Sequence, residues 1–217
     1  MRIVLTGSHS VGKSTLVRQL LGFLNETEYK TQEDVMRIAT TGSQGVGKTT
    51  LAKLIAGKAA VSNGKTAYRY LPEAAFAAYQ AGFRLNERSS KAAQLWMMCK
   101  QLEMEQGQVE SWQMNWVSDR CMIDILAYTR HFFPDDRHLL AVVEEIAEAS
   151  FKRYDLVLYL PAGEFPIEDD GFRSTNALFQ AETDLAVRQV LEDFEIIHHR
   201  ITGTVIERFE QVKKLIK

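Results

Sequence analysis

The chain has 217 residues, 46% of them hydrophobic and 25% charged, with a formal net charge of −2 at pH 7. That length and apolar content suffice for one full α/β core, and the near-neutral balance excludes a general electrostatic pull toward nucleic acid or an anionic membrane. No apolar run approaches the ~20 residues of a membrane-spanning helix, and the opening MRIVLTG lacks signal-peptide character, so the expected location is cytoplasmic.

The first predicted unit is a β-rich run, RIVLT, followed by GSHSVGKST at 7–15 and the helical pattern TLVRQLLGFL. The same unit then recurs as RIATT, GSQGVGKTT at 42–50 and TLAKLIAGKAA. Residues 1–16 and 36–51 are identical at eleven of sixteen aligned positions and then diverge, so the repeat is one β–loop–α unit and not a domain. Both loops fit G-x-x-x-x-G-K-[ST], through Gly7, Gly12, Lys13 and Ser14 and then Gly42, Gly47, Lys48 and Thr49. The spacing has a physical cause. Glycines let backbone N–H groups wrap a phosphate, the lysine bridges its terminal oxygens, the next hydroxyl ligates Mg²⁺, and the helix adds its positive end. Only one such loop can face the other catalytic parts at the edge of one parallel sheet. The second flows into everything downstream, so 36–217 is expected to be the working domain, with 1–35 an added, duplicated unit. The converse, an active Lys13 loop with the Lys48 loop inserted, stays open.

KTAYRYLPEAAFAAYQAGF reads as a strand ending near Leu71 and a helix opening after Pro72. Glu73 then lies at the carboxyl end of a strand, on the rim where α/β sheets bind ligands. SSKAAQLWMMCKQLEMEQGQ is a long helix with Leu95, Trp96, Cys99 and Leu102 on one face, and its Met and Trp stripe is read as core. NWVSDRCMIDILAYTRHF begins with a short strand at Trp116 and Val117 that delivers Asp119 and Arg120 to the same rim. A carboxylate there can hold the water shell of a magnesium ion or act as a base, and the arginine can neutralise phosphate charge. Asp124 is read as a cap or buttress of this loop. Cys99 and Cys121 lack metal or redox spacing and are read as small buried residues. Trp112 and Trp116 are taken as exposed aromatics that hint at an interface, and oligomeric state is left open.

RHLLAVVEEIAEASFKRY is an amphipathic helix with Leu139, Leu140, Val143 and Ile146 inward, and YDLVLYLP is a buried strand stopped by Pro161. The polar stretch AGEFPIEDDGFRSTN suits a mobile cover that brings Arg173 over the phosphates. ETDLAVRQVLEDF is a helix and EIIHHRITG a last strand. TVIERFEQVKKLIK closes the chain, with Val205, Phe209, Val212 and Ile216 on one side. His198 and His199 are adjacent, so on a strand they point to opposite faces and cannot share a metal. No H-E-x-x-H, paired-cysteine or Ser–His–Asp pattern appears. The alternation of strands and helices predicts a three-layer α/β sandwich with a mostly parallel sheet flanked by helices.

From Met36 onward the order of pieces resembles the P-loop nucleoside and nucleotide kinase superfamily. More closely, it is similar to AAA-type ATPase/kinase domains like the ribosylnicotinamide kinase module of bacterial NAD regulators, many of them phage-encoded. The segments that carry the resemblance are GSQGVGKTT, LPEAA, VSDRCMIDILAY, YDLVLYLP leading to DDGFRSTN, and HRITGTVIERFEQV. The resemblance implies that Gly42, Ser43, Gln44, Gly45, Val46, Gly47, Lys48, Thr49 and Thr50 cradle the phosphates of ATP, with Thr49 and Asp119 toward Mg²⁺. It implies that Glu73 orients the acceptor, that Asp119 and Arg120 serve metal, base and phosphate, that Arg173 is the lid arginine, and that Gly203 and Thr204 flank the adenine. Such relatives often carry an arginine three residues after the glutamate, where this chain has Phe76, and Ser or Thr after the Asp-Arg pair, where it has Cys121.

The expected reaction is transfer of the γ-phosphoryl group of ATP to a small nucleoside or nucleotide acceptor, with no membrane or nucleic-acid partner. A nucleotide-dependent switch and a catalytically decayed kinase share the same loop and stay as alternatives. The N-K-x-D segment by which GTPases read guanine is absent. The extra early lysine of partitioning ATPases is replaced by Ser43 and Gln44.

Overall fold

The computed structural model describes residues 35–58, 68–112, 115–167, 169, 171 and 173–216. The first loop, with Gly7, Gly12, Lys13 and Ser14, lies outside the described residues. β1 (Arg37–Thr41) is buried along its whole length, as a strand covered on both faces must be. The P-loop follows and runs straight into α1 (Lys48–Lys58), which turns Leu51, Ala52 and Ile55 inward at helical spacing. β2 (Arg69–Leu71) leads through Pro72 and Glu73 into the short α2 (Ala74–Gln80), and a single 3₁₀ turn at Asn86–Arg88 precedes α3 (Lys91–Trp112). β3 (Trp116–Asp119) is wholly buried and is followed by α4 (Met122–Phe132), whose first turn is closed by a reciprocal capping pair of Cys121 and Asp124. α5 (Arg137–Phe151) is capped by Asp136, β4 (Leu156–Tyr159) is buried throughout, and α6 (Ala177–Asp193) starts on an Asn176 cap. β5 (His199–Arg200) and α7 (Val205–Leu215), with a Thr204–Glu207 capping box, end the fold.

The strands form one sheet in the order β2-β3-β1-β4-β5, every pair parallel. Successive side chains of a strand face opposite ways, and the core follows that alternation. Ile38, Val117, Leu156 and Leu158 pack with Leu51, Ile55, Phe209 and Val212 from α1 and α7. Ala39, Val157 and Tyr159 pack on the other face with residues of α2 to α6. The result is the three-layer sandwich that the sequence pattern predicts. No described helix is long and apolar enough to cross a membrane.

Four expectations are corrected. α3 buries Met97 and Met98 and packs Trp96 and Leu102 against the core as expected, but it also buries Gln94, Gln101 and Glu105, and leaves Cys99 exposed and Leu95 36% exposed. Its polar residues turn inward because their partners lie there: Gln101 and Glu105 bond to one another, to Arg120 and to Tyr154. Trp116 is not an exposed aromatic; it is 1% exposed, edge-on to Tyr154 at 6.1 Å between ring centroids. α6 begins at Ala177, ahead of the expected Glu182, because Asn176 accepts from the N–H groups of Leu178 and Phe179. The closing helix buries Phe209 and Val212 as expected, but leaves Val205 38% exposed and buries Arg208 in its place.

Candidate active site

The β1-to-α1 loop is shaped by glycine. Gly42 has φ +141° and lies so close to the next strand that a Cβ on it would meet the Leu160 carbonyl oxygen at 2.3 Å. No side chain fits there, and Gly45 and Gly47 also take positive φ. At the head of α1, Lys48 is 5% exposed, and its ammonium donates to the carbonyls of Gly42 (2.8 Å) and Ser43 (2.5 Å). Burial, followed by repulsion from Arg120, lowers its pKa from 10.5 to about 8, against the pull of Asp124, Asp119 and Glu73.

The carboxyl end of β3 meets this loop directly. Thr49 Oγ1 donates to Asp119 Oδ2 at 2.5 Å, and the Tyr70 hydroxyl donates to the same oxygen at 3.1 Å. Asp119 Oδ1 is buried with no hydrogen-bond partner. Burial and the neighbouring Glu73 push the Asp119 carboxyl above its ordinary value, although Thr49, Lys48 and Arg120 pull the other way.

Arg120 follows with a left-handed backbone, φ +75°. Its Nε donates to Glu73 Oε1 at 2.6 Å, its Nη1 donates to Asp124 Oδ1 at 3.2 Å, and the guanidinium lies over the Tyr128 ring at 5.0 Å. The second oxygen of Glu73 accepts from Arg173 Nη2 at 2.6 Å. Burial alone would raise the Glu73 carboxyl, but Arg120, Arg173 and Lys48 outweigh it and hold it below the ordinary range. Asp124 does more than cap a helix: Oδ1 also accepts from the Gly42 N–H at 3.3 Å, tying α4 to the P-loop.

Two cavities open on this cluster. The first, of about 300 Å³, is lined by the P-loop from Gly45 to Thr50, by Asp119, and by Phe165, Pro166, Ile167 and Val205. The second, of about 50 Å³, is lined among others by Gln44, Gln94, Met97, Gln101, Tyr128 and Phe132. Glu73, Arg120 and Arg173 line both and so form the wall between them. Two buried amide atoms on the walls of the second cavity, Gln44 Nε2 and Gln101 Oε1, have no hydrogen-bond partner. Ser43 is buried, and Gln44 is tied down by Tyr128, Gln180 and Thr183.

The remaining expected residues sit at one flank. The Gly203 N–H donates to Glu164 at 2.9 Å, and Thr204 caps α7. Between them and the P-loop lies Arg208, which sequence reasoning missed. It is 1% exposed, donates to the carbonyls of Val46 and Gly203, pairs with Glu164 at 2.8 Å and stacks on Phe165. Gln101 and Tyr70 were missed for the same reason: their roles depend on packing partners far along the chain.

With this geometry in view, residues 37–208 match a protein family described as an AAA domain. The chain belongs to that AAA-domain family. Solved structures with the same fold include a NadR protein in complex with NR (TM-score 0.68, 17% identity, 95% of this chain and 58% of that one). This AAA domain thus spans just under three fifths of that NadR chain. Others are a deoxyadenosine kinase from M. mycoides (0.61, 14%, 83% and 98%) and a thymidylate kinase from Ehrlichia chaffeensis (0.60, 16%, 84% and 99%). These likenesses establish a P-loop, nucleotide-kinase-like fold for this AAA domain. No curated protein matches it.

Proposed function

We propose that this AAA domain transfers the γ-phosphoryl group of ATP to a hydroxyl or phosphate of a small nucleoside-like acceptor. The observation that carries this reading is the shared wall: Glu73, Arg120 and Arg173 stand between the P-loop cavity and a second, partly apolar cavity. A phosphoryl group crossing from one to the other meets two guanidiniums on the way. The unpartnered donor Gln44 Nε2 and acceptor Gln101 Oε1, beside Tyr128, Phe132 and Met97, suit a planar ring edge that offers an acceptor next to a donor. The names of the structural neighbours, deoxyadenosine kinase and thymidylate kinase, favour the same class.

Lys48 would exchange the carbonyls of Gly42 and Ser43 for phosphate oxygens, and the N–H groups of 45–50 would close around them. Thr49 and Asp119 fit a magnesium ion: a hydroxyl and a carboxylate oxygen already meet, and Asp119 Oδ1 is buried without a partner. When bound, the ion would draw negative charge off the terminal phosphates. Arg120 and Arg173 would take up charge on the transferring group, and Glu73 would orient the acceptor hydroxyl. Positioning and charge neutralisation would then supply most of the rate.

The deciding experiment measures ATP consumption with and without a panel of nucleosides and nucleoside monophosphates. Stimulation by one acceptor is expected. Slow hydrolysis indifferent to every acceptor would replace this reading with that of a nucleotide switch. Catalysis is assigned to the Lys48 loop, so Lys48→Ala should abolish ATP binding and Lys13→Ala should spare it. Equal loss in both variants would sink the assignment.

A further inference from the structure

The turn that carries Asp119 and Arg120 is held from behind by a buried carboxylate. Glu105 on α3 is 2% exposed. Its Oε1 accepts from Gln101 Nε2 at 2.8 Å and from the Tyr154 hydroxyl at 3.0 Å. Both contacts lead on. Gln101 Nε2 also reaches the carbonyl of Arg120 at 3.4 Å, and the Tyr154 oxygen accepts the N–H of Met122 at 3.0 Å. One carboxylate is therefore joined, through two side chains, to the peptide groups on either side of Cys121.

The arrangement is expensive for a helix contact. The nearest cation, Arg153 Nη2, is 3.9 Å away, and burial pushes the Glu105 carboxyl above its ordinary value despite Arg153, Gln101 and Tyr154. A leucine or methionine would fill the same space without desolvating a charge. What the carboxylate supports is a residue in an unfavourable conformation. Arg120 is one of three non-glycine residues at positive φ among those described. Its N–H is fixed by Thr40 Oγ1 at 3.3 Å, and the Glu105 pair of links restrains the other side of the turn. Strain of this kind persists only where the surroundings over-determine it, and it gathers at functional sites.

We propose that Glu105 is a positioning residue for phosphoryl transfer: acting through Gln101 and Tyr154, it locks the Arg120–Cys121–Met122 turn and so aims the Arg120 guanidinium at the wall between the two cavities. This rests on the kinase reading above. The buried pair Gln101 and Glu105, which breaks the apolar pattern of α3, is then the surface on which the catalytic turn is set.

The test compares Glu105→Leu, Glu105→Gln and Tyr154→Phe with the wild type in acceptor-stimulated turnover, in ATP affinity and in amide hydrogen exchange at Met122. Glu105→Leu should lower kcat by roughly 30-fold while ATP affinity stays within about twofold, because the phosphate cup is untouched and only the aim is lost. Glu105→Gln keeps an oxygen for both donors and should recover most of kcat. Tyr154→Phe, a gentler change should the leucine variant fail to fold, should cost several-fold in kcat and accelerate exchange at the Met122 amide. The proposal is overturned if kcat is unchanged, if Gln is no better than Leu, or if the Met122 amide exchanges at the wild-type rate in both Glu105→Leu and Tyr154→Phe. Exchange needs no turnover, so it decides the brace even if the wild type phosphorylates nothing, an outcome that would count against the kinase reading alone.

Discussion

Thr49 Oγ1 lies 2.5 Å from Asp119 Oδ2, so the residue after the P-loop lysine and the residue that ends β3 meet at one point. Two segments 70 residues apart thus supply neighbouring oxygens, and the second oxygen of Asp119 is buried without a hydrogen-bond partner. Asp119→Asn keeps the shape and removes the charge. It should lower kcat about 100-fold and shift the Mg²⁺ dependence of turnover to higher concentration. A magnesium titration checks this; an unshifted curve would exclude Asp119 as a magnesium ligand.

Arg120 contacts Glu73 and Asp124 through different nitrogens, a geometry that a lysine cannot copy. Arg120→Ala should reduce kcat about 100-fold and raise the KM for ATP only a few-fold, with Arg120→Lys little better. Steady-state kinetics on both variants decides the matter. A loss confined to KM would make Arg120 a binding residue only.

Lys48 titrates near 8 in the folded chain, below its ordinary 10.5. Between those values the unfolded chain holds the extra proton, so stability rises with pH through that window. The wild type should therefore gain on Lys48→Met in denaturant melts as pH rises from about 8 to 10. Polyphosphate favours the charged lysine, so ATP affinity should fall above about pH 8. A stability difference that is flat with pH contradicts the assignment.

Glycine at position 42 is a steric requirement, whereas Gly163 shares a positive φ, +85°, but has open space where a Cβ would go. Gly42→Ala should destabilise the fold by about 3 kcal/mol, through both strain and a clash with backbone, and Gly163→Ala by about 1 kcal/mol. Paired equilibrium unfolding curves test the difference. Equal effects would mean that the β1-to-α1 loop relaxes freely.

Much of this candidate site's layout was legible because its residues sit in short contiguous motifs at strand ends. GSQGVGKTT, Glu73 after a predicted strand, and the Asp119–Arg120 pair could be placed on one rim from periodicity and the logic of parallel sheets. What could not be read depends on partners distant in sequence. The inward face of α3 was taken to be Leu95, Trp96, Cys99 and Leu102, because an apolar stripe is the default for a helix against a core. The fold packs Trp96 and Leu102 half-buried against the core, leaves Leu95 and Cys99 outward, and turns Gln101 and Glu105 inward, since the β3-to-α4 turn offers them a carbonyl and Tyr154 a hydroxyl. Arg208 was not singled out, because nothing in the pattern of the closing helix marks it. Its burial makes sense only once Val46, Gly203 and Glu164 converge on it from three loops.

Glu73 gives one oxygen to Arg120 and the other to Arg173, so one buried carboxylate is divided between two guanidiniums. An incoming triphosphate would compete with that carboxylate. Each cation that turned to a phosphate would release an oxygen of Glu73 on the boundary with the second cavity. Under the proposed chemistry this makes the order of addition a property of the fold: donor first, acceptor second, with product-inhibition patterns to match.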